Sequence, residues 1–238
     1  MSTALCRRVL VIDDEEDNRE LVARILRDGR YDVQMAADGA EALASITATR
    51  PDLVVLDLMM PVVDGWQVLE SIRRRAEPPP VLVLTAAGGF QTFVRGVRAG
   101  AAAYILKPFA FHELLSACER ILRARPDGTR LERADRRREA RRLLLVQVRL
   151  SSAKGPLPAG ELVNISAGGV QVDLPSALPD GTPLRVGFHF PGEGDAFRLE
   201  GRVRWTRAAG DAVHSHGIAF VSFTPAVREQ LGYMLQPG

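Results

Sequence analysis

Leu53-Val54-Val55-Leu56-Asp57 is four aliphatic residues closed by an acid, and Val9-Leu10-Val11-Ile12-Asp13-Asp14 sets the same pattern earlier in the chain. A run that short, apolar at every position and ended by a charge, reads as a parallel strand buried on both faces. The carboxyl ends of such strands open onto the crevice where α/β sheets bind ligands. Three acids in one crevice repel one another unless a cation sits among them, and hard oxygen donors of this kind suit Mg²⁺. The pattern points to metal-assisted phosphoryl chemistry.

Working outward, further strand-like runs occur at Asp32–Met35, Val81–Thr85 and Ala103–Leu106. Helical patterns fill the gaps, near 15–27, 39–48, 65–75, 89–99 and 110–123. In the first of these Leu21, Val22, Ile25 and Leu26 recur at helical spacing, and Gly29 follows as a stop. Pro78-Pro79-Pro80 blocks any helix before the fourth strand. Alternation at this rhythm implies right-handed crossovers and an α/β doubly wound, five-stranded parallel sheet. After Arg125-Pro126-Asp127-Gly128-Thr129 the period changes to two. Leu184–Phe190 and Leu199–Trp205 alternate apolar and polar residues, joined by Glu161–Ser166, Gly169–Leu174 and Gly217–Phe223. These predict a C-terminal antiparallel sandwich or small β-barrel. Pro225 opens a terminal helix, Ala226–Leu235, with Val227, Leu231 and Leu235 on one face. The expected organisation is residues 1–124, an Arg-rich linker 125–136, and 137–238.

With 238 residues, 46% hydrophobic and 25% charged, the chain has material for two folded cores rather than a disordered tail. The net charge of +2 hides an asymmetry: residues 120–149 hold eleven Arg and four acids, so that stretch is +7 and the remainder −5. A concentrated Arg segment suits a phosphate or polyanion partner as readily as a solvated face. Cys6 and Cys118 read as free thiols. His214 and His216 share a strand face without metal-ligand spacing, as surface or barrel-lining histidines. With no leader and no apolar run of ~20 residues, a soluble cytoplasmic protein with no membrane span is expected.

For phosphoryl transfer Asp57 is the nucleophile, Asp13 and Asp14 hold the metal, and Lys107 supplies a fixed cation. The Thr85 hydroxyl closes the fourth strand within reach of a phosphoryl oxygen. Asp13-Asp14, Asp57 with Pro61 and Asp64-Gly65, Thr85-Ala86 and Lys107-Pro108 together make residues 5–124 resemble a response-regulator receiver domain of flavodoxin-like fold. The resemblance implies that Asp57 accepts a phosphoryl group from a sensor histidine kinase. It implies Mg²⁺ held by Asp14, Asp57 and the Met59 main-chain carbonyl, with Asp13 acting through water. It also implies a cis Lys107–Pro108 bond and a switch pair, Thr85 and Tyr104. The only chemistry expected is self-phosphorylation and self-dephosphorylation at Asp57, not an independent enzyme. Met59, where a polar residue is common, suggests a long-lived phosphorylated state.

Downstream, Arg137-Arg138-Glu139-Ala140-Arg141 precedes the barrel, and Asn164-Ile165-Ser166-Ala167-Gly168-Gly169 joins two of its strands. Guanidinium groups grip phosphate bidentately and stack on purines. Asn and Ser at alternate strand positions face one way and can bond a base edge. Gly169 lets the backbone turn and come close to a ligand. Residues 131–235 are similar to the PilZ domain, a cyclic di-GMP receptor. Arg137, Arg141, Asn164, Ser166 and Gly169 meet its motif, and Arg136 resembles members that hold a stacked ligand dimer. Arg138 and Arg142 offer the same spacing, though Arg137 and Arg141 stand at the family's usual distance from the strand. Val203-Arg204-Trp205 and Gly217-Ile218-Ala219-Phe220 fit the same family.

The leading expectation is a two-component response regulator signalling through cyclic di-GMP binding to the barrel. The alternative is a nucleotide-independent protein-interaction adaptor. Nucleic-acid binding by the Arg segment is disfavoured, since it lacks interleaved aromatics and a recognition helix. A downstream protein target is expected but unidentified, and the Gly88–Ala99 region is open to a homodimer, the barrel or another protein.

Overall fold

The structure is a computed structural model that describes residues 6–61, 63–86, 89–124, 142–153, 155–158, 160–190, 194–210, 212–222 and 224–235. The chain divides into two compact units.

Residues 8–124 alternate strand and helix: β1 (Arg8–Ile12), α1 (Glu16–Asp28), β2 (Asp32–Ala36), α2 (Gly39–Thr49), β3 (Leu53–Leu56), α3 (Gly65–Arg73), β4 (Val81–Thr85), α4 (Phe90–Arg98), β5 (Ala103–Leu106) and α5 (Phe111–Ala124). The strands form one parallel sheet in the order β2-β1-β3-β4-β5. The order reverses between β1 and β3, which is where a doubly wound sheet opens its ligand crevice. Helices cover both faces of β3, so none of its four side chains exceeds 2% exposure and the continuous apolar run is explained. Asp38 caps α2 by accepting from the Ala40 and Glu41 amides, and Asp64 caps α3 by accepting from Gln67. The apolar stripe of α1 differs by one position from the sequence reading. Val22, Ala23, Ile25 and Leu26 are buried, whereas Leu21 is 43% exposed. An aliphatic residue at the flank of a stripe is close enough in spacing to be counted with it.

The second fold comprises β6 (Arg142–Ser152), β7 (Gly155–Pro156), β8 (Gly160–Ser166), β9 (Gly169–Leu174), β10 (Pro183–Phe190), β11 (Gly194–Gly210), β12 (Val213–Ser222) and α6 (Pro225–Leu235). Its antiparallel sheet runs β10-β11-β12-β9-β8-β6-β7, and a further β10–β6 pairing closes it into a barrel with β7 on its edge. Closure removes the free edges that a sandwich would leave. Leu199 and Val203 of β11 point into the core while Glu200, Arg202 and Arg204 are exposed, as the period of two requires. β11 is longer than the seven residues its alternation marked, and β6 begins inside the Arg-rich run. His216 is fully buried and lines the barrel, its Nε2 accepting the Leu178 amide at 3.0 Å.

Candidate functional site

Topology assembles the first site. Asp13 directly follows β1 and Asp57 directly follows β3, and these strands are neighbours. The Asp57 amide donates to the Ile12 carbonyl at 2.9 Å, fixing the two strand ends in register. Both acids are buried, at 3% and 7% exposure. Lys107, the residue after β5, reaches between them. Its Nζ donates to Asp13 Oδ2 at 2.7 Å and to Asp57 Oδ2 at 2.6 Å. The remaining oxygens are held by backbone: Asp13 Oδ1 accepts from the Glu15 amide and Asp57 Oδ1 from the Met59 amide, each at 3.0 Å. Each acid is thereby clamped from two sides, which fixes the orientation of a nucleophilic carboxylate. The Lys107 amide donates to the Thr85 carbonyl at 2.9 Å, tying the ends of β4 and β5 together, and the Lys107–Pro108 peptide is cis. Gly65 lets α3 start against this loop, since a Cβ there would stand 2.2 Å from the Asp57 carbonyl oxygen.

The electrostatics are those of a crowded acidic crevice. Burial pushes the Asp13 carboxyl above its ordinary value; Lys107 pulls it down and the charge of Asp57 adds to the rise. Burial also works against the Lys107 ammonium, but its bonds to Asp13 and Asp57 outweigh that and hold it above the usual lysine range. Two buried carboxylates share one cation, so the crevice retains net negative charge, with Asp14 half-buried beside it. That surplus fits a hard divalent cation. Among the described residues no three His, Cys, Asp or Glu side chains converge as a ready cage. A cation would therefore complete its shell with main-chain oxygen and water. Thr85 is fully buried at the end of β4. The Tyr104 ring is buried, at 1% exposure. Burial raises its hydroxyl pKa well above the ordinary tyrosine value, with the Asp57 charge adding to the rise.

The second site is a cleft of about 230 Å³ on the barrel, lined by Asn164, Ser166, Gly169, Gln171, Arg204 and Trp205 among others. Asn164 and Ser166 lie on β8, and Gln171 faces them from β9. Asn164 Nδ2 donates to Gln171 Oε1 at 2.8 Å, and the Ser166 hydroxyl donates to the Gly169 carbonyl at 3.3 Å. Trp205 closes the opposite side, with the Arg207 guanidinium 5.1 Å from its ring centre. Gly169 is required by its neighbour as much as by any ligand: a Cβ there would stand 2.3 Å from the Ile218 carbonyl oxygen on β12. Arg136, Arg137 and Arg141 lie outside the described residues.

Residues 9–119 match the response regulator receiver domain family, and residues 135–236 match the PilZ domain family. The chain is a receiver domain followed by a PilZ domain. The receiver is 46% identical over 116 residues to response regulator MprA of Mycolicibacterium vanbaalenii, a match covering 49% of this chain and 50% of that protein. It is 45% identical over 116 residues to MprA of Mycobacterium avium, covering 49% and 51%. The chain thus matches about half the length of these curated relatives. Among solved structures, Vibrio cholerae chemotaxis protein CheY4 aligns at 33% identity and a TM-score of 0.47, over 49% of this chain and 98% of that one. Brucella abortus NtrX aligns at 36% identity and a TM-score of 0.48, over 50% and 27%.

Sequence reasoning named Asp13, Asp14, Asp57, Thr85, Tyr104 and Lys107 for the receiver, and the structure brings Asp13, Asp57 and Lys107 into direct contact. The Asp13 carboxylate, expected to face a metal through water, is in contact with Lys107. In the PilZ domain Gln171 was missed. The signal was present in Gln171 and Asp173, the outward positions of β9's alternation. No described helix is long and apolar enough to cross a membrane.

Proposed function

We propose that this receiver–PilZ protein is a two-component response regulator. Asp57 accepts a phosphoryl group from the phosphohistidine of a sensor kinase, and the PilZ barrel reads cyclic di-GMP. The observation that carries the reading is the single Lys107 ammonium in contact with both Asp13 and Asp57 at the strand-order switch point. One Asp57 carboxylate oxygen attacks phosphorus, a P–O bond forms, the P–N bond to the donor imidazole breaks, and the imidazole leaves with the electron pair and takes up a proton. Lys107 stabilises the charge that develops on the transferring oxygens. The Met59 and Glu15 amides keep the two acids oriented throughout. Asp14, Asp57 and the Met59 carbonyl would hold a Mg²⁺ ion, which would neutralise charge on the incoming group. The Thr85 hydroxyl and the buried Tyr104 ring are the elements that respond to the new charge.

In the barrel, Asn164 and Ser166 take a guanine edge and Arg136, Arg137 and Arg141 take the phosphates. Phosphoryl transfer at Asp57 is the protein's only chemistry, and its output passes to a downstream protein. The test has two arms. Incubation with acetyl phosphate and Mg²⁺ adds the mass of one phosphoryl group to wild type and none to Asp57→Asn. Calorimetric titration with cyclic di-GMP gives saturable binding that Arg137→Ala and Arg141→Ala each abolish. Phosphorylation without any nucleotide heat leaves the receiver half of the reading standing and makes the barrel a nucleotide-independent adaptor.

A further inference from the structure

Asn164 stands in the ligand motif without the charge that an aspartate would bring, and a primary amide can present either its oxygen or its NH₂ to a ligand. Four side chains running across β8, β9 and β12 decide which. Asn164 Nδ2 donates to Gln171 Oε1 at 2.8 Å, Gln171 Nε2 donates to Ser215 Oγ at 3.4 Å, and the Ser215 hydroxyl donates to Asp173 Oδ1. All four are partly buried. Asn164 and Gln171 line the cleft, whereas Ser215 and Asp173 do not.

The direction of this chain is set at its far end. A carboxylate can only accept, so Asp173 commits the single proton of Ser215. The Ser215 oxygen then accepts, so Gln171 must turn its NH₂ toward it and its carbonyl toward Asn164. Asn164 must in turn spend its NH₂ on Gln171, and its Oδ1 is left over. Reversing the Asn164 amide would set its oxygen against the Gln171 oxygen. Reversing Gln171 as well would set that oxygen against Ser215, whose proton is already spent. No reversal is free of an acceptor facing an acceptor, so one orientation is selected.

We propose that Gln171 is a positioning residue for nucleotide recognition. Anchored through Ser215 on Asp173, it holds Asn164 with its oxygen as the acceptor for the N–H edge of a guanine. The proposal rests on the reading of this cleft as a cyclic di-GMP site. It explains how an amide serves where a carboxylate would otherwise be needed. Asp173 lends its acceptor character through two intervening side chains, without the cost of a charge at the cleft itself.

The test is a set of calorimetric titrations of the full-length protein with cyclic di-GMP. Gln171→Leu and Ser215→Ala are each measured with Asn164 and again with Asn164→Asp. Loss of one net hydrogen bond's worth of orientation corresponds to about a tenfold weakening for Gln171→Leu and a smaller one for Ser215→Ala. With Asn164→Asp both oxygens accept and no orientation remains to be chosen; one of them faces Gln171 Oε1, so each second substitution, by lifting that opposition, leaves affinity unchanged or tightens it rather than weakening it. Ser215 does not line the cleft, so its rescue by Asn164→Asp cannot come from a lost ligand contact. Thermal unfolding of every variant separates a misfolded barrel from a misoriented amide. Equal losses in the two backgrounds make Gln171 a packing residue and overturn the proposal while leaving the nucleotide reading intact. Absence of binding by wild type overturns both.

Discussion

Removing the Lys107 ammonium should destabilise the receiver sharply in the absence of metal, and by an amount set by the geometry of its two partners. Asp13 Oδ2 and Asp57 Oδ2 both lie within 2.7 Å of one nitrogen, so they are no more than about 5 Å apart. At an effective dielectric near 20 two unit charges at that separation repel by about 3 kcal/mol. Taking away their shared, partly buried cation also leaves two desolvated carboxylates uncompensated, a class of change that costs about 3–5 kcal/mol. Lys107→Met in chelator at neutral pH should therefore lose about 3–5 kcal/mol of unfolding free energy. Asp13→Asn in that background should return about 3 kcal/mol, the repulsion it relieves. Mg²⁺ at a hundredfold excess over its Kd should return about 2.7 kcal/mol by mass action. The sign with pH follows from Asp13. Its folded-state pKa is raised above 3.8, so its ionised form costs stability above the folded value and that cost vanishes as pH falls toward 3.8. The Lys107→Met deficit should accordingly shrink on mild acidification. The assay is urea unfolding followed by tryptophan fluorescence in a Trp205→Phe background, where Trp66, 8% exposed beside the receiver core, is the sole reporter. A Lys107→Met protein within about 1 kcal/mol of wild type in chelator, or no recovery with Asp13→Asn, would refute the reasoning.

Other expectations follow from single groups. His216 is buried with its titratable neighbours His214 and Asp173, and burial lowers its pKa below 6.5. The neutral form therefore stabilises the fold fully above 6.5, and that stability is lost as pH falls toward the folded value. In a Trp66→Phe background, barrel stability followed by Trp205 fluorescence should weaken on acidification, and less so when His216→Gln is added; matching pH profiles would remove His216 from the account. Asp38→Ala deletes the cap on two amides of α2 and should cost about 1 kcal/mol in the same urea assay applied to the receiver. Cys118 is fully buried, and burial pushes its thiol up to about 12, whereas Cys6 is exposed. An alkylating reagent followed by mass spectrometry should modify Cys6 alone in the native protein and both thiols in urea.

What was legible in the sequence was whatever depends on period and on chain order. The aliphatic runs ending in Asp13 and Asp57 located two strands and the acids at their ends, because a buried parallel strand must be apolar throughout and its first polar residue marks where the crevice opens. The strand order could not be read from those runs, yet it is the adjacency of β1 and β3 that makes two distant acids a site. In the barrel, alternation along Leu199–Trp205 gave the inward face correctly, because exposure in a strand has only two options. Leu21 was misjudged because a helix offers a continuous range of exposures around its circumference and a flanking aliphatic can stand in water. Gln171 was passed over for a different reason. Its period marks it only as outward-facing, and a polar residue on an outward strand face needs no explanation. Its significance lies in the direction of its hydrogen bonds, and that direction is fixed by Asp173 through Ser215, a residue 44 positions away on another strand. A motif scored residue by residue sees Asn164 as a weakened aspartate. The same position in the assembled barrel is an amide whose orientation three neighbours have already chosen, so the replacement is neutral in charge without being indifferent in polarity.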